Sequence, residues 1–131
     1  EGHVVASNII KGNKKKVSYP PMPSVVFTLP TMATVGLLED DAKEKGYDIN
    51  VNFEKVDNWF NARRLNVDEY AYKTIIDKNN NTILGAHLIG PHCEETINLF
   101  AMAIKTKMTI SDLRTMVFSY PTMASDLTYM L

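Results

Sequence analysis

The side chain best placed to do chemistry is Tyr120, which lies directly before Pro121 in the segment FSYPTMASDLTYML. A phenol can donate a hydrogen bond, act as a weak acid, or pack its ring against a planar ligand. The residues that follow have the apolar spacing of a short helix. The segment is therefore either an ordinary loop that enters a helix or an arm that presents Tyr120 to the active site of another subunit.

A second group of chemically capable residues, His87, His92 and Cys93, lies close together in the sequence. A zinc site needs four nitrogen, sulfur or oxygen ligands at regular spacing, and two histidines around a Gly-Pro turn do not supply them. We therefore predict no metal site. Cys93 lies near a helix N-terminus, which could lower its pKa, but a partly buried small apolar side chain is the more frequent role.

Composition excludes several classes of function. The chain has 131 residues, enough for one compact domain, with 45% hydrophobic and 22% charged residues and a net charge of -1. This balance gives no electrostatic footprint for nucleic acid or anionic lipid, and the lysine run at residues 14–16 fits a solvated linker. Because no stretch is apolar enough to cross a bilayer or to act as a signal peptide, we expect a cytoplasmic protein.

The sequence also lacks the parts of a self-sufficient active site. A single cysteine excludes a disulfide, or a redox centre made of two cysteines, within this chain. There is no Gly-x-Ser-x-Gly elbow, no phosphate-binding Walker loop and no dinucleotide-binding Gly-x-Gly-x-x-Gly. Whatever chemistry Tyr120 serves must therefore use groups from elsewhere.

Local patterns predict strands first and helices last. We predict a helix that ends at Gly12, a proline-rich linker or extended crossing over residues 13–24, a buried strand of about four residues in VVFTLP, and a helix from about Leu38 to Lys45. The alternation in INVNFEKV predicts a half-buried strand. The next segment, DNWFNARRLN, is predicted to be a loop or single helical turn anchored by Trp59 and Phe60.

The second half of the chain predicts a hairpin and three helices. Two β-rich runs flank a turn at residues 77–81, and HCEETINLFAMAIKTKM has helical apolar spacing. Thr109 and Asp112 form a capping box for a helix to about Val117, and a last helix begins at Pro121 or Thr122. The predicted class is α+β, with a mostly antiparallel sheet of four to five strands and helices packed on one face.

Three blocks of the sequence resemble a known family. PSVVFTLPTMATVGLLEDDAKEKG, ILGAHLIGPHCEETINLFAMAIKTKMTISDL and YPTMASDL resemble the C-terminal dimerisation domain of the pyridine nucleotide-disulfide oxidoreductases, in the same order and at similar spacing. EGHVVASNII is similar to the helix that closes the FAD domain of that family. The resemblance implies that residues 1–22 are a trailing helix of an upstream FAD domain plus a linker, and that residues 23–131 are the dimerisation domain.

The resemblance also implies partners and cofactors. FAD, NAD(P) and a pair of redox cysteines would lie on upstream domains of the same chain. These residues alone would bind neither cofactor. The protein would be a homodimer. Candidate interface elements are the helix around Ile97 to Ile104 and the segment from Tyr120. Family members that reduce disulfides carry a His-Pro-Thr arm, in which the peptide bond before the proline is cis, and a glutamate follows it. The histidine exchanges protons with the partner's thiols.

At the arm the sequence departs from the family pattern. Tyr120 stands in the histidine's position, and Ser125 stands in the glutamate's position. A free imidazole titrates near pH 6.5 and a free phenol near pH 10, so holding a thiol's proton at neutral pH is roughly 5 kcal/mol harder for a tyrosine. The candidate catalytic residue is Tyr120, and the candidate cofactor contacts are Tyr120 and Pro121. Asp126 is not expected to replace the glutamate, because one helical residue turns a side chain by about 100°.

Three alternatives stay open at the level of sequence. The chain could be a free-standing α+β module that binds a ligand or regulates a partner. The parent enzyme could reduce a metal ion or a peroxide rather than a disulfide, since mercuric reductases resemble this chain in having a tyrosine in the arm. Finally, Tyr120 could only pack at the interface, as buried tyrosines often do.

Overall fold

A computed structural model describes all 131 residues, Glu1–Leu131. Its centre is a five-stranded sheet in the order β1-β2-β5-β4-β3, in which every neighbouring pair is antiparallel. The strands are β1 (Ser24–Val26), β2 (Met32–Gly36), β3 (Ile49–Lys55), β4 (Ala71–Asp77) and β5 (Thr82–Ile89). The predicted α+β class with an antiparallel sheet is confirmed.

The chain also forms six helices. They are α1 (Gly2–Lys11), α2 (Glu39–Glu44), α3 (Phe60–Leu65), α4 (Cys93–Thr106), α5 (Ile110–Thr115) and α6 (Met123–Asp126), and a 3-10 turn (Leu127–Tyr129) follows α6. No residue of α1 is buried. The longest helix, α4, has 14 residues, and no helix has the length and apolarity needed to span a membrane.

The main core lies between one face of the sheet and α4. This helix packs on β5 and β2, and its residues Ile97 and Phe100 are fully buried. Strand partners point their side chains to the same face, so Val35 and Ala86, paired across β2 and β5, meet the helix together. On the opposite face, Lys73 forms an ion pair with Glu39 of α2.

Two strong local signals are confirmed. The hairpin turn predicted at residues 77–81 joins β4 to β5, with the Asp77 carboxylate accepting hydrogen bonds from Asn79 and Asn80. The capping box predicted for α5 is present: the Asp112 backbone N–H donates to Thr109 Oγ1 at 3.1 Å, and the Asp112 carboxylate accepts from the Thr109 backbone N–H at 3.0 Å. Both motifs satisfy their own backbone groups, which is why local sequence specifies them.

The strand in VVFTLP was predicted to be buried, and this prediction is wrong. β1 is a three-residue edge strand in which only Val25 is half-buried, and Phe27 is 80% exposed. An edge strand has one neighbour, so an apolar run there is not covered on both sides. Strand β2 was not predicted. Its residues Ala33 and Val35 are buried and alternate with more exposed neighbours.

The helical predictions need three smaller corrections. α3 is a six-residue helix rather than a loop or single turn, and of its two predicted anchors Phe60 is exposed while Trp59 packs against the core. α5 ends at Thr115 instead of about Val117. The last helix begins at Met123, after Thr122 as its N-cap, and tightens into a 3-10 turn from Leu127.

Gly85 of β5 supports a sharp prediction of stability. A Cβ atom at this position would lie 2.0 Å from the carbonyl oxygen of Leu37, which belongs to the backbone and cannot rotate away. We expect Gly85→Ala to lower the free energy of unfolding by about 1–3 kcal/mol, as overpacking does. Urea unfolding followed by circular dichroism measures it. Gly2→Ala, with no atom within 4 Å of the added group, is the matched control, and equal midpoints for the two variants would contradict the contact.

Candidate active-site arm

The arm consists of residues 120–126 and begins with Tyr120. This residue lies on the surface and stacks on Phe60, the first residue of α3. The two ring centroids are 5.8 Å apart with an interplanar angle of 29°, and Tyr120 is 70% exposed. The Tyr120-Pro121 peptide bond is cis, as the family resemblance implied. The candidate catalytic side chain, Tyr120, therefore points outward from the surface on which it packs. Pro121 beside it is also exposed.

Ser125, in the position of the family's glutamate, forms the capping box of α6 with Thr122. Its backbone N–H donates to Thr122 Oγ1 at 3.2 Å, and its Oγ donates to the Thr122 carbonyl oxygen at 2.6 Å. These bonds satisfy groups that a helix start leaves open. The hydroxyl of Ser125 is thus directed to Thr122, and Tyr120 gains no acidic partner from this position.

A buried polar network lies directly beneath the arm. Asn61 Nδ2 donates to Asp126 Oδ1 at 2.9 Å and to the carbonyl oxygen of Thr122 at 3.0 Å. The Tyr70 hydroxyl donates to Asp126 Oδ2 at 3.2 Å, and Arg64 donates to Asn61 Oδ1 at 3.2 Å. Asn61 is fully buried and Asp126 is 6% exposed. The network joins α3 and Tyr70, the residue directly before β4, to the arm.

Burial controls the protonation of this network. Loss of solvent raises the pKa of the Asp126 carboxyl above its ordinary value of 3.8, and the hydrogen bonds from Asn61 and Tyr70 only partly oppose that rise. Burial and the neighbouring Asp126 also raise the pKa of the Tyr70 phenol. Tyr70 therefore stays protonated and remains a donor to Asp126 at neutral pH.

The raised pKa of Asp126 predicts a pH dependence of stability. Above the ordinary aspartate pKa and up to the raised one, the folded chain binds more protons than the unfolded chain, so stability falls as pH rises through this window. Asp126→Asn removes this titration. We therefore expect the free energy of unfolding of the variant, relative to the natural chain, to increase as pH rises from about 4 toward neutral.

Urea unfolding at a series of pH values tests this sign, and Asp112 provides the control. Hydrogen bonds from Thr109 lower the pKa of Asp112, so its contribution is present above the ordinary aspartate pKa and is lost as pH falls. The difference for Asp112→Asn should consequently decrease as pH rises. The same slope for both variants would contradict the assigned shifts.

Asn61 and Asp126 were not predicted as part of a site. Asp126 lies three residues after Met123 and four before Met130, so it shares the inward face of the terminal helical segment. A carboxyl at such a position needs buried donors. The sequence therefore indicates that Asp126 needs a buried donor. It does not indicate that the donor is Asn61, which lies 65 positions away.

The end of the chain is held by further contacts to β4 and α5. Thr74 Oγ1 donates to the carbonyl oxygen of Met130 at 2.6 Å, and Arg114 donates to the carbonyl oxygen of Leu131 at 2.6 Å. The Trp59 ring packs against the rings of Tyr70, Tyr72 and Tyr129, with centroids 5.8 to 6.1 Å apart. The segment after the arm is thus part of the core.

His87 and Cys93 make structural hydrogen bonds outside this network, and His92 is the N-cap residue of α4. His87 bonds Thr34 Oγ1 at 2.5 Å and the Leu37 carbonyl oxygen at 3.2 Å. Cys93 is buried and its thiol donates to the Thr31 carbonyl oxygen. Burial raises the pKa of Cys93 to about 11, so the lowered pKa considered for this thiol is wrong. No three His, Cys, Asp or Glu side chains come together as a metal site.

A groove of about 530 Å³ lies between the start of α4 and the arm. Its lining includes Arg64, His92, Glu95 and Leu99, together with residues 121–124. Met102 lies farther along α4 and is 63% exposed. The outward side of α4 and the arm therefore form a continuous surface with mixed polar and apolar character.

The chain is similar to several known proteins. Residues 22–131 match the family model described as pyridine nucleotide-disulphide oxidoreductase, dimerisation domain. An uncharacterized 19.7 kDa protein in the mercuric resistance operon of Staphylococcus aureus is 47% identical over 131 residues, which are 100% of this chain and 73% of that protein.

Larger enzymes are also similar. A mercuric reductase of Lysinibacillus sphaericus is 35% identical, over 97% of this chain and 23% of the enzyme. The HOCl-induced flavoprotein disulfide reductase RclA from Escherichia coli has a TM-score of 0.84 and 29% identity, over 96% of this chain and 29% of that one. The chain thus spans less than a third of the length of each of these two enzymes.

Proposed function

Since this chain belongs to the pyridine nucleotide-disulphide oxidoreductase dimerisation-domain family, we propose that it forms the homodimer interface of an FAD- and NAD(P)-dependent reductase and contributes Tyr120 to the partner's active site. The observation that carries the proposal is the 70% exposure of Tyr120, which lies shortly before the buried residues Met123, Asp126 and Leu127. The ring is held on Phe60 and presented outward, where a partner subunit can reach it.

The interface we propose uses the outward side of α4 and the arm. Ile97, named from the sequence as an interface candidate, is fully buried against its own sheet, so the partner would instead meet exposed residues such as Met102. Exposed apolar side chains also surround the arm: Val117 is 97% exposed. Burial of such side chains stabilises an interface by about 25 cal/mol for each Å² of apolar surface.

The residues that would meet a flavin are Tyr120 and Pro121. Their exposed apolar surfaces suit a planar ring system, and the other groups that bind FAD and NAD(P) would come from upstream domains of the same chain, with residues 1–22 as the connection. The chemistry that bound FAD supplies is the transfer of reducing equivalents from a reduced nicotinamide to the acceptor. A cytoplasmic location remains our prediction for such an enzyme.

The role we propose for Tyr120 is that of a hydrogen-bond donor and weak acid. A phenol stays protonated near neutral pH and can therefore give a proton or a hydrogen bond to a developing thiolate, but it cannot readily take one. This property suits a reaction in which the acceptor is a metal ion or a peroxide as well as one in which it is a disulfide. The similarity to a mercuric reductase favours the metal ion.

The proposal is tested by the oxidation of NADH and NADPH by the natural gene product that contains this chain. We expect a flavoprotein that oxidises one of the two nucleotides with mercuric ion, and we expect smaller rates with glutathione disulfide or hydrogen peroxide. A bound flavin that no nicotinamide reduces would contradict the proposal, and a disulfide as the best acceptor would contradict the choice of substrate.

A second candidate function is a dimerisation domain that works without attached flavin domains. The relative in the mercuric resistance operon has a mass of 19.7 kDa, of which this chain matches 73%. The remaining quarter is too short for a second domain of the usual 100 to 150 residues, so we propose this alternative. The natural gene product would then be a dimer without flavin absorption.

A further inference from the structure

Helix α3 meets the arm through two consecutive residues. Phe60 stacks on the ring of Tyr120, and Asn61 donates a hydrogen bond to the carbonyl oxygen of Thr122, two residues later. The contacts therefore lie on both sides of Pro121. A helix that holds a segment at two points around a reactive side chain can fix where that side chain lies.

The Asn61 amide is held in one orientation. One N–H of Nδ2 is directed to the Thr122 carbonyl oxygen, the other to Asp126 Oδ1, and Oδ1 accepts from Arg64. All its hydrogen-bonding groups have partners of the correct kind. Rotation of the amide by half a turn would bring its oxygen against two acceptors, which is unfavourable in a fully buried site.

Asp126 is in turn held from the other side. Its second carboxylate oxygen accepts from the Tyr70 hydroxyl, and the Tyr70 ring packs edge-on against Trp59, the N-cap residue of α3. The contacts therefore form a closed ring from α3 through Tyr70, the residue directly before β4, to the terminal segment and back. Such a network has few alternative arrangements, because each change leaves a buried polar group without a partner.

We infer that Asn61 and Asp126 are positioning residues that fix the Tyr120 arm to α3, while Phe60 supports the ring itself. The hydroxyl of Ser125, at the position where the family resemblance implies an acidic partner, bonds only to Thr122, so the arm depends on support from beneath. The catalytic consequence rests on the proposed function. The positioning itself does not.

The test is 19F NMR of the natural gene product labelled with fluorotyrosine. The Tyr120 resonance is identified by its loss in Tyr120→Phe. In Asn61→Ala and Asp126→Ala we expect it to move toward the position of a freely exposed tyrosine and to narrow. Unchanged resonances in both variants would overturn the inference.

Three further variants control for folding. Thr74→Val removes a buried hydrogen bond to Met130, at the far end of the same segment, and should leave the Tyr120 resonance in place. Phe60→Ala removes a half-exposed ring and no buried polar group, so it should fold and still shift the resonance. Asp126→Asn keeps an oxygen acceptor for Asn61 and should largely restore it. A shift in Thr74→Val equal to that in Asn61→Ala would overturn the assignment.

Kinetics separate this inference from the proposed function. If Tyr120 acts in trans, Asn61→Ala should lower kcat by roughly tenfold to a hundredfold, the size expected for a misplaced catalytic group, with KM changed less than about twofold. If the natural protein has no reductase activity but Asn61→Ala still shifts the Tyr120 resonance, the proposed function would be overturned and the positioning supported. A native resonance in an active Asn61→Ala enzyme would overturn the positioning alone.

Discussion

Phe100→Ala is expected to lower the free energy of unfolding of this domain by about 3–5 kcal/mol. Phe100 is fully buried on the face of α4 that packs against the sheet, and its ring is among the largest side chains in the core. Removing the ring loses the free energy gained when it is transferred from water to the core. It also leaves a cavity that the helix and strands cannot fill. Domains of this size have only about 5–15 kcal/mol in total, so the variant should be close to the limit of folding.

Urea unfolding of the natural chain and the variant measures this effect. Phe27→Ala is the matched control, because Phe27 is the same type of residue and is 80% exposed. We expect that variant to change the free energy by no more than about 0.5 kcal/mol. Equal losses in the two variants would contradict the packing of α4 on the sheet.

Tyr120→Phe is expected to lower turnover of the proposed reductase by about a hundredfold. Phenylalanine keeps the ring that stacks on Phe60 but removes the hydroxyl, so the loss reports the hydrogen bond or proton given to the reacting group. A positioned acid contributes about 10² to 10⁴ in rate. The measurement is kcat for oxidation of reduced nicotinamide with the best acceptor.

Tyr129→Phe is the control, since Tyr129 lies in the same terminal segment and is 71% exposed. Its turnover should match that of the natural protein. Tyr120→His adds an imidazole and should increase activity toward a disulfide relative to Tyr120→Phe. Full activity in Tyr120→Phe would show that the ring only packs, and the catalytic role would be withdrawn.

Features encoded within a few residues could be predicted from the sequence. The turn after β4 and the capping box at Thr109 and Asp112 place donors and acceptors next to their own backbone partners, so the chain specifies them locally. The regular apolar spacing of α4 predicted its inward face. The terminal segment could be predicted to be apolar on one side, with Met123 and Leu127 inward.

Features that depend on distant partners could not be predicted in this way. β2 is short, and its buried residues Ala33 and Val35 gain their cover from α4 and β5. The exposure of Phe27 follows from the position of β1 at the sheet edge, which a single sequence does not give. Asn61 and Asp126 meet only because α3 and the arm are brought together by the sheet, so their bond has no local signal.

The most direct test of the central claim is size-exclusion chromatography with light scattering and absorbance detection on the natural gene product that contains this chain. We predict a particle with twice the mass of one subunit and with the visible absorption of bound flavin in the same peak. A monomer without that absorption would contradict the proposal that this domain joins two subunits and presents Tyr120 to a partner's flavin.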